Sequence, residues 1–240
     1  GNAAAKVASA DAQEGGVYAN AFIGDTSIVV DCSEKAIGIH SVEGSKFSGS
    51  IIAGNYGSSM INGRTMVTFT GVADNLVIDG KVIGGVMNND VDDPTGGVSG
   101  SRSLVFDNFD GTLNASYVTG FTDVKVTGKE TIIEKANFGE VRNWEFADGG
   151  SLVWNNGSNS LGFSNDNLVM TGEVGEDWTV MSGKAAFFST WNEFNVSLNG
   201  TTLEFNGEVY SGIIGEDNYQ LARVDSDDKK TASLVLSKLA

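Results

Sequence analysis

Apolar and polar residues alternate in short runs along most of this chain, the period of a strand with one buried face. Ile28, Val30 and Cys32 share a face, as do Ile37 with Ile39 and Val67 with Phe69. Leu104 with Phe106, Val124 with Val126, Trp144 with Phe146 and Leu152 with Trp154 continue the series, followed by Leu168 with Met170, Trp178 with Val180 and Phe194-Val196-Leu198. A phrase with Leu, a large apolar residue, Gly and Val at alternate positions recurs at Leu76–Val82, Leu168–Val174 and Leu203–Val209. An imperfect repeat of short strands predicts stacked coils or hairpins of β-structure. A second, looser phrase places an aromatic residue three positions before an aliphatic or aromatic one, at Phe121–Val124, Phe138–Val141 and Trp191–Phe194. In a stacked arrangement such residues lie about 4.8 Å apart and build a continuous core. Long amphipathic helices are not evident.

Between the strand-like runs stand Asn62-Gly63, Asp110-Gly111, Asn156-Gly157, Asn199-Gly200 and Asn206-Gly207. These dipeptides supply the positive φ angles of tight turns. Residues 1–16 are Ala-rich without alternation and are expected to form a flexible tail, with one β-solenoid domain over 17–240. Residues 84–101 interrupt the rhythm with an acidic stretch holding the only proline, Pro94. This segment reads as an excursion from the regular body, where function often resides. The alternation therefore predicts an all-β fold, a parallel β-helix, with an antiparallel β-sandwich or barrel as the alternative.

Composition narrows the classes of function. The 240 residues carry a formal charge of −16, a surface that repels nucleic-acid phosphates and anionic lipid. A solubilising role accounts for this charge without any partner. With 32 Gly and a single proline, yet 13 Phe and 4 Trp, the chain is neither a disordered linker nor a collagen. Cys32 is the only cysteine, in phase with Ile28 and Val30, and reads as a small core residue. No apolar run approaches the roughly 18 residues of a membrane-spanning helix. The opening Gly1-Asn2-Ala3-Ala4-Ala5-Lys6 lacks Met and reads as a mature terminus, an expectation of export.

Candidate chemistry is sparse. His40 is the only histidine, so a zinc set or a Ser-His-Asp triad has little to draw on. Phosphate-binding and nucleophile-elbow motifs are missing from the sequence. Acids are plentiful, and a carbohydrate-active β-helix enzyme would use two of them. Yet Gly175-Glu176-Asp177 and Gly215-Glu216-Asp217 repeat after two of the phrases, as structural turns do. Asp90, Asp92 and Asp93, with Asn88 and Asn89, form a candidate calcium site of hard oxygen ligands. Their spacing matches neither the twelve-residue helix-loop-helix calcium site nor the Gly-Gly-x-Gly-x-Asp nonapeptide of calcium-binding β-rolls, and a solvated acidic loop is the plainer reading. No other cofactor is expected. Trp144, Trp154, Trp178 and Trp191 fall in strand phase and read as core, with sugar stacking as the alternative.

Tyr117–Val126, Phe146–Trp154 and Leu203–Tyr210 resemble the passenger regions of bacterial autotransporter-type surface proteins. The likeness is one of composition and rhythm over residues 20–220. It implies a right-handed parallel β-helix on the cell surface or in the extracellular space, forming part of a larger chain. The function it implies is a non-enzymatic scaffold or adhesin segment presenting a rigid acidic β-surface to a host or cell-surface glycan or protein. The alternatives are the carbohydrate-active enzyme above and a glycan-binding β-sandwich module.

Overall fold

The computed structural model describes residues 3–7, 17–18, 25–32, 45–47, 50–54, 62–88, 91–93, 98–134, 141, 143–156, 159–164, 167–174, 177–181, 193–197, 202–205, 208–210, 213–214 and 219–238. The fold is all-β. Strands β1 (Ala3–Val7), β2 (Val17–Tyr18), β3 (Thr26–Cys32), β4 (Ser45–Phe47) and β5 (Ile51–Ile52) lead into the long β6 (Thr65–Ile83). β1 thus lies within the stretch expected to be a tail. β7 (Val86–Asn88) and β8 (Val91–Asp93) form a small antiparallel pair before the long β9 (Arg102–Thr119). Next come β10 (Asp123–Thr127), β11 (Glu130–Glu134), β12 (Asn143–Ala147), β13 (Ser151–Asn156), β14 (Asn159–Phe163) and β15 (Asn167–Glu173). β16 (Asp177–Met181), β17 (Glu193–Ser197), β18 (Thr202–Phe205) and β19 (Glu208–Tyr210) make a separate four-stranded antiparallel sheet. β20 (Ile213–Ile214), β21 (Tyr219–Asp225) and β22 (Thr231–Lys238) return to the main sheet.

The main sheet is mixed. In its N-terminal part three sets of parallel ladders run side by side. In the first, β1, β3, the start of β6, the start of β9, β10 and β12 pair in order. Ile28, Val67, Leu104, Val124 and Trp144 occupy one column; Val30, Phe69, Phe106, Val126 and Phe146 occupy the next. In the second set Leu76, Leu113, Ile133 and Trp154 line up. In the third, Ile51, Val82 and Val118 do. β6 and β9 each contribute to all three sets, with register shifts where the chain bends. Beyond β13 the pairing turns antiparallel through β14, β15, β22 and β21. The sheet therefore has a parallel part and an antiparallel part: the expected all-β class is met, and a mixed sheet stands where a wholly parallel β-helix was expected.

The columns are stacked cores. Phe69 and Phe106 lie nearly parallel at 5.6 Å between ring centroids, and Phe109 meets them edge-on and tilted at 6.1 and 6.0 Å. All three are fully buried. Trp144 and Phe146 stack at 6.5 Å. A buried ring of this size contributes about 1.5–3 kcal/mol, with about 0.5–1.5 kcal/mol more for a well-placed pair.

Two local devices repeat along the parallel ladders. Immediately after the first ladder set, Gly71, Asn108, Gly128 and Asp148 all have positive φ, at 89°, 50°, 74° and 53°. These are residue types that enter the left-handed region at least cost. At the other end of the first ladder set, its leading residue reaches the carbonyl just past the third set. Thr26 Oγ1 donates to Ala53 O, Thr65 Oγ1 to Gly84 O and Arg102 Nε to Gly120 O, each at 2.6 Å. The three donors are register partners, so one latch recurs on three neighbouring strands.

The three Leu-Gly-Val phrases are not neighbours. The first lies in β6 and pairs with β4, β5 and β9; the second runs along β15 and pairs with β14 and β22. The third spans the β18–β19 hairpin. Alternation with a glycine marks any half-buried strand near a bend, so the same phrase serves three settings. Asp110-Gly111, expected as a turn, lies inside β9. A side chain at Gly111 would run into the backbone of Ala73, so close approach of neighbouring rungs explains that glycine.

Candidate functional site

Outward-facing positions of the antiparallel part form three rows. The central row is apolar: Ile132, Val153, Gly162, Val169, Val235 and Ala222 are successive cross-strand partners. On one side the register aligns Glu134, Asn155, Ser160, Thr171 and Ser233. Asn155 Nδ2 donates to Glu134 Oε1 at 2.9 Å, and the Thr171 and Ser233 hydroxyls hydrogen-bond at 2.7 Å. The other side carries Glu130 and Ser151, then Ser164 and Asn167 where β14 passes into β15. The Ser164 hydroxyl accepts from the Asn167 N–H at 3.0 Å, which fixes that bend.

A groove of about 400 Å³ opens on this face. Val153, Gly162 and Val169 form its floor, Ser151, Ser164 and Asn167 one wall, Ser160 the other, and Glu130 one end. The groove arises because Gly162 puts no side chain into the apolar row between two valines. β13, β14 and β15 are each hydrogen-bonded on both edges, so their backbones offer no pairing to a ligand.

Elsewhere on the surface, polar ladders couple successive rungs. Asn143 Nδ2 donates to Asp123 Oδ1 at 2.6 Å, and Lys125 Nζ meets Glu145 Oε1 at 2.7 Å, each across a twenty-residue interval. Arg64 grips Asp25 through Nη2 at 2.7 Å and through its backbone N–H at 2.9 Å. The Arg64 side chain, then its backbone N–H, holds the Asp25 carboxyl below its usual range.

Of the residues singled out from sequence, Cys32 is buried in the core, and burial, then Asp31, pushes its thiol up to about 11. Such a thiol is no nucleophile near neutral pH. Trp144 is buried and Trp154 packs against the core, as their phase predicts. Trp178 lies on β16. Asp92 and Asp93 sit on β8, opposite Met87 and Val86. Asp90, His40 and Trp191 lie outside the described residues, as do Glu176, Glu216 and Asp217. Among the described residues no three His, Cys, Asp or Glu side chains gather as metal ligands, and no helix is long and apolar enough to cross a membrane. Sequence reasoning missed the groove. Its one local sign is Gly162 inside the apolar–polar alternation of Leu161 and Phe163.

Comparison with known protein families, with curated proteins and with solved structures finds no match to this chain.

Proposed function

We propose that the chain is a non-enzymatic scaffold of the cell surface or extracellular space whose exposed β-faces bind glycan or protein. In this reading the parallel ladders are the rungs of a β-solenoid, right-handed as parallel crossovers almost always are. The antiparallel strands from β14 onward extend its last rung. The observation that carries the reading is the division of labour across the sheet. The inward columns through Val67, Phe69 and Leu76 are apolar stacks, while the outward rows on either side of an apolar one bear Ser, Thr, Asn and acidic side chains at strand spacing. Rows of this kind offer many weak hydrogen bonds to an extended partner, and a rigid base spares the entropy of ordering them on binding. The net charge of −16 makes nucleic acid and anionic membranes poor partners.

The test is adhesion measured beside turnover. The intact chain, displayed on beads, is expected to bind saturably to a surface coated with neutral glycans or extracellular-matrix proteins, and to release no product from a panel of polysaccharides. Release of reducing ends or unsaturated sugars, abolished by changing one acidic pair, would transfer the chain to the carbohydrate-active enzymes. Absence of saturable binding to every coated surface would remove the adhesion reading.

A further inference from the structure

We infer that the Gly162 groove is a binding site for a neutral oligosaccharide, an inference that rests on the adhesion reading and gives it a location. Three observations converge. First, Gly162 is not needed by the backbone. Its strand pairs with β13 and β15 without a register shift. A Cβ built there would meet only Val169, at 3.6 Å from its Cβ and 3.8 Å from its carbonyl oxygen, which is ordinary contact. Alanine would fit and would cost less backbone entropy in a strand. A glycine kept in a strand without bulge or crowding marks a place where something else approaches the sheet.

Second, the space so made has a consistent chemistry. An apolar floor of Val153 and Val169 is flanked by the hydroxyls of Ser151 and Ser160 and by the Asn167 side-chain amide, while Ser164, its hydroxyl held on the Asn167 backbone, closes that wall. A pyranose ring presents the matching pattern, an apolar C–H face rimmed by hydroxyls that both donate and accept. The volume of about 400 Å³ falls in the range of small-ligand sites, about 300–1,000 Å³. Third, the rival occupants fit less well. A peptide strand cannot pair here, because both edges of β13, β14 and β15 are taken. A purely apolar ligand would strip water from the flanking hydroxyls without replacing its hydrogen bonds. An anionic sugar meets Glu130 at the groove end and the overall negative field.

The experiment is calorimetric titration of the full chain with short neutral oligosaccharides built from glucose, mannose, galactose or N-acetylglucosamine, and with one uronic-acid oligomer. At least one neutral oligosaccharide is expected to bind. Gly162→Val should weaken that binding by about tenfold or more, and Gly162→Ala should weaken it less while leaving the melting temperature unchanged or raised. Ser160→Ala and Asn167→Ala should each weaken it about three- to tenfold, the loss of one hydrogen bond. No binding of any neutral probe, preference for the uronic-acid oligomer, or equal binding by Gly162→Val would overturn the assignment. Repeating the bead assay with Gly162→Val separates the two readings. Adhesion unchanged by the substitution keeps the scaffold and discards the groove, whereas a wild-type chain that adheres to nothing discards the scaffold itself.

Discussion

At the scale of single residues, two positions make predictions opposite to what their size suggests. Gly128 is small and lies at the corner after the first ladder set, with φ of 74°. Alanine there must enter the left-handed region, and its Cβ points at the Asn108 carboxamide. Gly128→Ala should therefore lower stability by about 1–2 kcal/mol in denaturant unfolding. Gly128→Asn should recover most of that loss, because Asn108 and Asp148 already hold the equivalent corners of the neighbouring rungs at positive φ. Equal losses for Ala and Asn would mean that crowding, not backbone conformation, sets the cost. Cys32 predicts a pH effect. Its ordinary value is 9.0 and its folded value about 11, raised first by burial. The unfolded thiol ionises first as pH rises, so the buried thiol's contribution is fully present below pH 9.0 and is lost progressively up to about pH 11. The loss is on the order of 2–3 kcal/mol. Denaturant midpoints across that window should fall, and Cys32→Val should flatten the fall. Unchanged slopes in that variant would show that other groups govern alkaline unfolding.

At the scale of elements, the latches are the feature with the sharpest consequence. Thr65 is almost fully buried, and its hydroxyl donates to Gly84 O across the coil. Thr65→Val keeps shape and β-preference but leaves that carbonyl without this donor, which should cost about 1–3 kcal/mol. Chemical denaturation measures it, and a neutral result would mean that water takes the donor's place. Much at this scale was legible in sequence. The alternation placed Ile28, Val30, Val67, Phe69, Leu104, Phe106, Val124, Val126 and Phe146 inward, and all are buried. What alternation cannot fix is which strands meet. Positions 104, 124 and 144 share a column, and the partners Lys125 and Glu145 show its twenty-residue step. Position 67 joins the same column only after the excursion at 84–101. An insertion between rungs hides the period from any search for fixed spacing. The latch was hidden for a related reason: Thr26, Thr65 and Arg102 share a position and a job, but only the two threonines share chemistry. The groove was hidden because it depends on three strands whose pairing is non-local, and because its one local sign, Gly162 between Leu161 and Phe163, is one glycine among 32.

At the scale of the molecule, charge decides. Thirty-one acidic residues face 15 Lys and Arg, an excess of like charge spread over the whole chain. Compaction of such a chain works against its own field. The described ion pairs oppose this. Arg64–Asp25, Lys125–Glu145 and Lys129–Asp110 span rungs at 2.7, 2.7 and 3.7 Å. All are exposed, and an exposed pair contributes at most about 1 kcal/mol. Salt screens both effects. The repulsion extends over the whole surface, whereas the pairs are few and weak, so screening should favour the folded state. The melting temperature is therefore expected to rise between about 10 mM and 300 mM sodium chloride, over which the Debye length falls from about 30 Å to below 8 Å. Acid adds a second arm. The depressed Asp25 carboxyl lends stability above its ordinary value of 3.8, and that stability is lost as pH falls through its lower folded value. Mild acidification to about pH 5 relieves repulsion while Asp25 stays ionised, so stability should first rise and then fall on further acidification. A melting temperature that drops with salt at neutral pH would show that the rung-spanning ion pairs outweigh the field, and that the acidic surface is locally compensated.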